Sequence, residues 1–221
     1  PGSLLLEASE LQVARVKKHP VAGPFDLSVH AGEVIGIVGP NGAGKSTLGL
    51  TLAGLIPAHS GSVRASAELA GMAQQDPFRW TSRQLLTRIG TVLQEPEHQL
   101  IARTVRDEIA VGPRALGMGE DEVSARVDEL LERLRLAHVA GANPYTLSGG
   151  EQRRLTVGAM LATRPRVLVL DEPTFGQDAV TWAELVGLMA ELRDAGHALV
   201  VVTHDDEVPR ALHARKFVVG A

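Results

Sequence analysis

The fold is decided by the stretch Gly39-Pro40-Asn41-Gly42-Ala43-Gly44-Lys45-Ser46-Thr47, called the glycine loop below. The apolar run 34–38 precedes it, and the helix-forming run 48–55 follows it. Glycines allow successive main-chain N–H groups to curl around an anion, and the start of a helix adds partial positive charge. A strand, a glycine-rich turn and a helix in this order are typical of a loop that binds phosphate. The sequence therefore predicts a site for a nucleoside triphosphate.

Two side chains of the glycine loop have the chemistry that a triphosphate requires. Lys45 is predicted to reach the β- and γ-phosphates, and the hydroxyl of Ser46 is predicted to hold Mg²⁺. The alternative is a tight turn that does no more than open a helix. That alternative leaves unexplained why glycines, a lysine and a serine stand at these offsets.

The composition of the 221 residues is that of a globular chain, with 44 % hydrophobic and 22 % charged residues. This length allows one large α/β domain, or a core with a smaller subdomain. A net charge of −4 gives no overall attraction to nucleic acid. Because the chain has no cysteine, disulfides, iron–sulfur clusters and thiolate zinc sites are excluded. The sequence contains no apolar run of the roughly 18 residues that a membrane span needs.

The order of apolar patterns predicts a mostly parallel sheet with added elements. Runs 4–16 and 25–29 alternate like antiparallel strands, whereas runs 89–93, 167–170, 198–203 and 216–219 read as short strands of a covered sheet. Region 104–145 is helical, and helices 147–162 and 182–192 follow. One helical face carries Val123, Val127, Leu130, Leu131 and Leu134. That stripe favours packing on a core, although a coiled-coil partner helix is an alternative.

An acidic pair, Asp171 and Glu172, follows the buried strand 167–170. Ligands of open α/β sheets bind at the carboxyl ends of the strands. Asp171 is predicted to coordinate Mg²⁺, and Glu172 is predicted to polarise the attacking water as general base. A solvated strand end is the alternative for an acidic pair alone, and the glycine loop upstream argues against it.

The second strong pattern is Leu147-Ser148-Gly149-Gly150-Glu151-Gln152, called the signature segment below. Ser148 and Glu151 fit a capping box, and the two glycines leave the start of the helix open to an anion. An ordinary capped helix is the alternative. Capping alone does not need two glycines, since glycine in a helix costs about 1 kcal/mol relative to alanine.

With these three stretches the chain resembles the ATP-binding cassette (ABC) ATPases, with 39–47 as Walker A, 147–152 as signature and 167–172 as Walker B. Gln94 stands at the place of the family's Q-loop glutamine, and His204, after the run 200–203, at that of its switch histidine. The resemblance implies a P-loop NTPase of class α/β, with a mostly parallel RecA-like sheet, a small antiparallel β subdomain on the N-terminal side and an inserted helical subdomain. We expect a single domain over 4–221, with the core at about 4–94 and 163–221 and the helical subdomain at about 100–162.

The resemblance also implies the cofactors and the roles of further residues. ATP and Mg²⁺ are expected, with Gln94 joining Ser46 and Asp171 at the metal, and with Glu172, His204 and Gln94 as the catalytic set. In this family two cassettes pack head to tail, so that the signature of one covers the nucleotide of the other. Nucleotide contacts across that interface are expected from Ser148, Gly149, Gly150, Glu151 and Asp178.

A finer resemblance lies in Gln94-Glu95-Pro96-Glu97-His98-Gln99-Leu100, followed by the runs 104–109 and 111–113. It is similar to the energy-coupling-factor (ECF) and cobalt-importer group, whereas an ordinary surface loop is the alternative. The resemblance implies the ATP-hydrolysing motor of a vitamin or metal-ion importer, at the cytoplasmic face of the plasma membrane. Its expected partners are a transmembrane subunit and a second cassette in a homodimer, a heterodimer or a fused protein; nucleic acid is not expected. The alternatives are a soluble ABC ATPase acting on DNA or ribosomes, and a nucleotide-binding module without catalysis.

The chain departs from the family pattern at two places. Between residues 11 and 21 the only ring is the imidazole of His19, where an aromatic that stacks on adenine is usual. The run Phe175-Gly176-Gln177-Asp178 replaces the commoner Gly-Leu-Asp. The second departure, together with the missing initiator Met, predicts one of two unequal cassettes or part of a fused protein.

Overall fold

The strands and helices are taken from a computed structural model, which describes residues 2–15 and 20–220 apart from the side chains of Pro96 and Glu97. The strands are β1 (Leu4–Val13), β2 (Ala22–His30), β3 (Val34–Val38), β4 (Ser60–Ala65), β5 (Ile89–Val92), β6 (Val167–Asp171), β7 (Ala198–Val202) and β8 (Arg215–Val218). The α-helices are α1 (Lys45–Leu52), α2 (Ala67–Ala70), α3 (Ser82–Leu86), α4 (Val105–Ala115), α5 (Glu120–Arg133), α6 (Gly149–Leu161), α7 (Ala179–Asp194) and α8 (Glu207–Ala211). Short 3-10 turns lie at Pro77–Arg79, Pro96–Gln99, Ala137–Val139 and Pro144–Thr146.

A parallel sheet forms the centre of the fold, with the strands in the order β5-β6-β7-β3-β8. Every residue of β3, β6 and β7 is buried, which is why these strands are continuous apolar runs. Neighbouring strands end in register, with Asp171 beside Val202 and Ile37 beside Val202. Residues that follow β3, β6 and β7 therefore meet at one edge of the sheet.

An antiparallel sheet with the order β2-β1-β4 covers one side of this centre. Leu5 and Leu11 of β1 belong to the same buried cluster as Ile35 of β3 and Leu48 of α1. The predicted fold class, a mostly parallel sheet with a small antiparallel sheet on the N-terminal side, is confirmed. The first strand ends at Val13, and the rest of its predicted range includes Val16, which lies outside the described residues.

The helical region packs α4, α5 and α6 against each other and against the parallel sheet. Val127 and Leu130 of α5 share one buried cluster with Leu168 and Leu170 of β6. The apolar stripe of α5 thus faces the core of this chain, as predicted. Helix α6 begins at Gly149 instead of residue 147, because the side chain of Ser148 caps its first turn. Within the described residues no helix combines the length and apolarity that a membrane span requires.

Candidate nucleotide-binding and hydrolysis site

A cavity of about 420 Å³ opens where β3, β6 and β7 end, and it is called the site cavity below. Most of the residues predicted for nucleotide binding and catalysis line it: Asn41, Gly42, Gly44, Lys45, Ser46, Thr47, Gln94, Glu172 and His204. Arg15 and Val21, which sequence reasoning did not single out, line it as well, together with Phe175 of the run 175–178. Residues more than 150 positions apart are thus brought to one cavity by the parallel strands that they follow.

The glycine loop wraps around the amine of its own lysine. Lys45 is buried, and its Nζ donates to the main-chain oxygens of Gly39 and Pro40, both at 2.9 Å. A side chain at Gly39 is excluded, because its φ is +149° and a Cβ would lie 2.1 Å from the main-chain oxygen of Val219. Gly44 takes a φ of +94° immediately before α1, so the loop turns sharply into the helix. The amine of Lys45 is therefore held near the N-terminus of α1, where an anion would bind.

Ser46 and Asp171 place two oxygen atoms side by side at the edge of the sheet. The hydroxyl of Ser46 donates to Oδ1 of Asp171 at 3.2 Å. Burial raises the pKa of Asp171; the hydrogen bond from Ser46 and the charges of Lys45 and Arg153 oppose this, whereas the charge of Glu172 adds to it. Adjacent hydroxyl and carboxylate oxygens are the ligands that Mg²⁺ prefers, so these residues fit that ion.

Glu172 is held by both residues that follow β7. Its Oε1 accepts from the main-chain N–H of His204 at 3.0 Å and lies 2.8 Å from Nδ1 of the same residue. Its Oε2 accepts from the hydroxyl of Thr203 at 3.1 Å. Glu172 has a φ of +48°, a left-handed backbone conformation that is uncommon outside glycine. The carboxylate of Glu172 is therefore fixed in orientation. The ring of Phe175 packs edge-on against the imidazole of His204, with the two ring centroids 5.7 Å apart.

The signature segment and Asp178 lie outside the lining of the site cavity. The capping box predicted for Ser148 and Glu151 is present in both directions, and hydrogen bonds from Ser148 hold the pKa of Glu151 below its ordinary value. Asp178 caps α7 by accepting from the main-chain N–H groups of Val180 and Thr181, which lowers its own pKa. These residues do not meet the nucleotide site of their own chain.

Arg153, which sequence reasoning missed, and Gln99, whose contacts it did not predict, hold the main chain around Gln94. Arg153 donates to the oxygens of Leu93 and Gln94, and Gln99 donates to the oxygen of Thr91. An arginine among the buried positions of α6 is a usable signal, because a buried charge requires hydrogen-bonding partners. His19 has the only ring between residues 11 and 21, where the family usually has an aromatic that stacks on adenine. His19 lies outside the described residues.

Three features together define an ATP-binding cassette. They are a glycine loop before a helix, an acidic pair after a buried strand and a capped glycine pair. The model of the ABC transporter family matches residues 23–175, and the chain belongs to this family. The energy-coupling factor transporter ATP-binding protein EcfA of Methanothermobacter thermautotrophicus is 34 % identical over 217 residues, which are 98 % of this chain and 68 % of that protein.

Further relatives point to the same group. The cobalt import ATP-binding protein CbiO of Rhodobacter capsulatus is 42 % identical over 191 residues, which are 86 % of this chain and 66 % of that protein. The solved structure of CbiO1 from Clostridium perfringens, part of the ABC transporter complex CbiONQ, is 28 % identical with a TM-score of 0.81, covering 98 % of this chain and 84 % of that one. The chain thus spans about two thirds of the length of the two proteins first compared.

These comparisons confirm the predicted ABC cassette of the ECF and cobalt-importer type, and with it the class of enzyme, an ATPase that serves transport. They also agree with the prediction that ATP is the nucleotide. The first of these relatives is named for an energy-coupling factor transporter and the second for cobalt import.

Proposed function

We propose that this chain is the ATP-hydrolysing motor of an ECF-type importer for a vitamin or a metal ion. The observation that carries the proposal is the site cavity, in which Lys45, Ser46, Glu172 and His204 converge from three separate segments. A nucleotide-binding module without catalysis has no use for a carboxylate that three donors orient beside the glycine loop.

The glycine loop binds the triphosphate in this proposal. Lys45 exchanges the main-chain oxygens of Gly39 and Pro40 for the β- and γ-phosphates, and the N–H groups at the start of α1 donate to the same phosphates. Ser46, Asp171 and Gln94 are the residues that would hold Mg²⁺, which neutralises the charge that develops on the phosphates.

Glu172 and His204 act on the water and the γ-phosphate. Glu172 accepts a proton from the attacking water, which is the general-base role. Because an ionised carboxylate only accepts, Nδ1 of His204 is the donor to Oε1 of Glu172. Its Nε2 is then the nitrogen left for the γ-phosphate, to which it donates when the ring carries both protons. Thr203 and the main chain of His204 keep the carboxylate in place during the reaction.

A second cassette completes the site in this proposal. Ser148, Gly149, Gly150, Glu151 and Asp178 lie outside the cavity of their own chain, and α6 and α7 present them at helix starts. A helix start favours an anion, so Ser148, Gly149 and Gly150 suit the triphosphate bound by another copy or by a related cassette. Glu151 and Asp178 are themselves anionic caps of the two helices, and they keep these helix starts in place beside it. The pairing is a homodimer, a heterodimer or two halves of a fused protein.

A transmembrane subunit is the second partner that we propose. An apolar groove of about 410 Å³ lies between α3, α4 and α6, and Ile101, 75 % exposed, stands at its rim. Leu55, Leu85, Leu86, Val111 and Met160 also line it. A short amphipathic segment of the membrane subunit fits such a groove. In this proposal the cassette is a peripheral subunit at the cytoplasmic face of the plasma membrane. Nucleic acid is not a partner in this proposal.

The test is phosphate release by the purified chain with ATP and Mg²⁺, at a series of protein concentrations. We expect the specific activity to rise with protein concentration, because two cassettes must meet, and we expect Lys45→Ala to abolish it. Release that is absent, or specific activity that is independent of concentration, excludes the homodimer, which is the one pairing that this chain can form alone. Salt-sensitive binding of the chain to duplex DNA or ribosomes would favour the alternative soluble ATPase instead.

A further inference from the structure

The main chain of Gln94 is held by α6, the helix that begins within the signature segment. Arg153, on the second turn of α6, is only 3 % exposed. Its Nη1 donates to the main-chain oxygen of Leu93 at 2.8 Å, and its Nη2 donates to that of Gln94 at 2.7 Å. Two hydrogen bonds from one planar guanidinium fix both the position and the direction of the peptide that they hold.

The segment that begins at Gln94 is also tied at its far end. The side-chain amide of Gln99 donates to the oxygen of Thr91 at 3.0 Å and accepts from the N–H of Leu93 at 2.8 Å. The hydroxyl of Tyr145 donates to the oxygen of Leu100 at 2.8 Å. Arg153 and Tyr145 flank the signature segment, so residues 93–100 are fastened to that region at both ends.

These contacts connect two places that the proposed function assigns to different nucleotides. The side chain of Gln94 lines the cavity of its own chain, together with Lys45 and Glu172. Ser148 and Glu151 lie at the start of α6, outside that cavity. Arg153 is two residues beyond Glu151 and donates a hydrogen bond to the main-chain oxygen of Gln94. The hydrogen bonds of Arg153 therefore connect the peptide of Gln94 directly to the first two turns of α6.

We propose that Arg153 is the positioning residue through which occupancy of one nucleotide site sets the signature segment that closes the other site. The inference rests on the proposed function, because it needs two cassettes. Arg153 touches neither nucleotide in this proposal, and it acts through the main chain of Leu93 and Gln94. Energetic coupling of this kind requires a physical connection between the two sites, and the hydrogen bonds of Arg153 supply that connection.

The variants separate this role from simple stability. Arg153→Met keeps the length of the stem and removes both donors. Arg153→Lys keeps the charge, but its single ammonium group cannot reproduce the planar fork. Arg154→Met is the matched control, because Arg154 is the neighbouring arginine of α6 and donates to Oε2 of Glu184 at 3.0 Å rather than to the Gln94 segment.

The experiment measures phosphate release as a function of ATP concentration and combines each variant with Gln94→Ala. We expect the wild type to respond cooperatively, and we expect the Hill coefficient of Arg153→Met to fall to about 1. The value of kcat/KM should fall about tenfold in Arg153→Met, but much less when Gln94 is already alanine, because the two residues act as one unit. Arg154→Met should keep the cooperative response even where its melting temperature falls.

Each other outcome contradicts the proposal. If the wild type is active and cooperative while Arg153→Met keeps its Hill coefficient, or if its loss adds fully to that of Gln94→Ala, the coupling role is wrong and the motor function stands. If Arg153→Met does not fold, Arg153→Lys decides: a wild-type response in that variant overturns the role. A wild type that neither hydrolyses ATP nor associates in its presence overturns the proposed function and the coupling with it.

Discussion

The carboxylate of Glu172 and the imidazole of His204 are in direct contact, with Oε1 of Glu172 lying 2.8 Å from Nδ1 of His204. The same oxygen accepts from the main-chain N–H of His204, so two donors of one residue converge on it. The two residues follow neighbouring parallel strands, β6 and β7, and they are 32 positions apart. The register of β6 and β7 thus brings the proposed general base, Glu172, into contact with His204, the residue proposed to meet the γ-phosphate.

Glu172→Gln should leave ATP binding intact and lower turnover by about 10²–10⁴-fold, because the amide keeps the shape but cannot accept the proton from water. The measurement is single-turnover phosphate release, with binding followed by a fluorescent ATP analogue. We expect the variant to accumulate as an ATP-bound dimer in size-exclusion chromatography. An unchanged rate of release would remove Glu172 from the general-base role.

Thr203→Val tests whether the hydroxyl beside Glu172 positions the base. Thr203 is 1 % exposed; its Oγ1 donates to Oε2 of Glu172 at 3.1 Å and accepts from the N–H of Asp205 at 3.0 Å. Loss of the hydroxyl leaves buried polar groups without a partner and should lower the free energy of unfolding by about 1–3 kcal/mol. It should also lower kcat while KM for ATP is retained.

The control for that variant is Thr203→Ser, which keeps the hydroxyl and removes one methyl group. Urea unfolding and steady-state phosphate release of the two variants are compared side by side. We expect the serine variant to keep most of the turnover of the wild type. Wild-type turnover in Thr203→Val would show that the hydroxyl does not position the base.

The sequence predicted the sheet because its buried strands are unbroken apolar runs. Strand β6 is Val-Leu-Val-Leu-Asp and β7 is Ala-Leu-Val-Val-Val, patterns that fit few other structures. The glycine loop and the capping box of Ser148 are local in sequence, so their geometry follows from spacing alone.

Contacts between distant residues were not predictable in the same way. Arg153 and Gln94 are 59 positions apart, and nothing in the spacing of the chain brings a guanidinium to that peptide. Region 62–83 mixes short periods, since β4, α2, a 3-10 turn and α3 follow each other within a few residues. Elements this short are defined by tertiary packing more than by their own pattern.

Gly39→Ala should disrupt the glycine loop. The added Cβ would lie 2.1 Å from the main-chain oxygen of Val219, and a φ of +149° is strained for alanine. We expect ATP affinity to fall by at least about tenfold and the free energy of unfolding to fall by more than about 1 kcal/mol. Titration with a fluorescent ATP analogue and urea unfolding measure the two effects.

The matched control is Gly187→Ala, in α7. A Cβ at Gly187 meets no atom within 4 Å, and its backbone is helical. This variant should raise the free energy of unfolding by about 0.5–1 kcal/mol and leave ATP affinity unchanged. Equal ATP affinity in both alanine variants would show that the close approach at Gly39 does not shape the loop.

His197 should make the stability of the fold depend on pH. Burial lowers the pKa of its imidazole, against a hydrogen bond from Nδ1 to the oxygen of Pro165 at 2.8 Å, and the charges of Arg133, Arg126 and Arg166 lower it further. The unfolded chain, with an ordinary pKa of about 6.5, therefore binds a proton that the folded chain does not. Stability that His197 contributes is present above this value and is lost as the pH falls below it.

His197→Gln isolates this effect, because a side-chain amide can still donate to Pro165 but does not titrate. The measurement is urea unfolding of both proteins at about pH 7.5 and about pH 5.5, on either side of the ordinary histidine pKa. The wild type should lose more stability than the variant between the two values, and the difference between the two losses belongs to His197 because all other groups are common to both proteins. Equal losses would mean that the buried imidazole takes up its proton as readily in the folded chain as in the unfolded one.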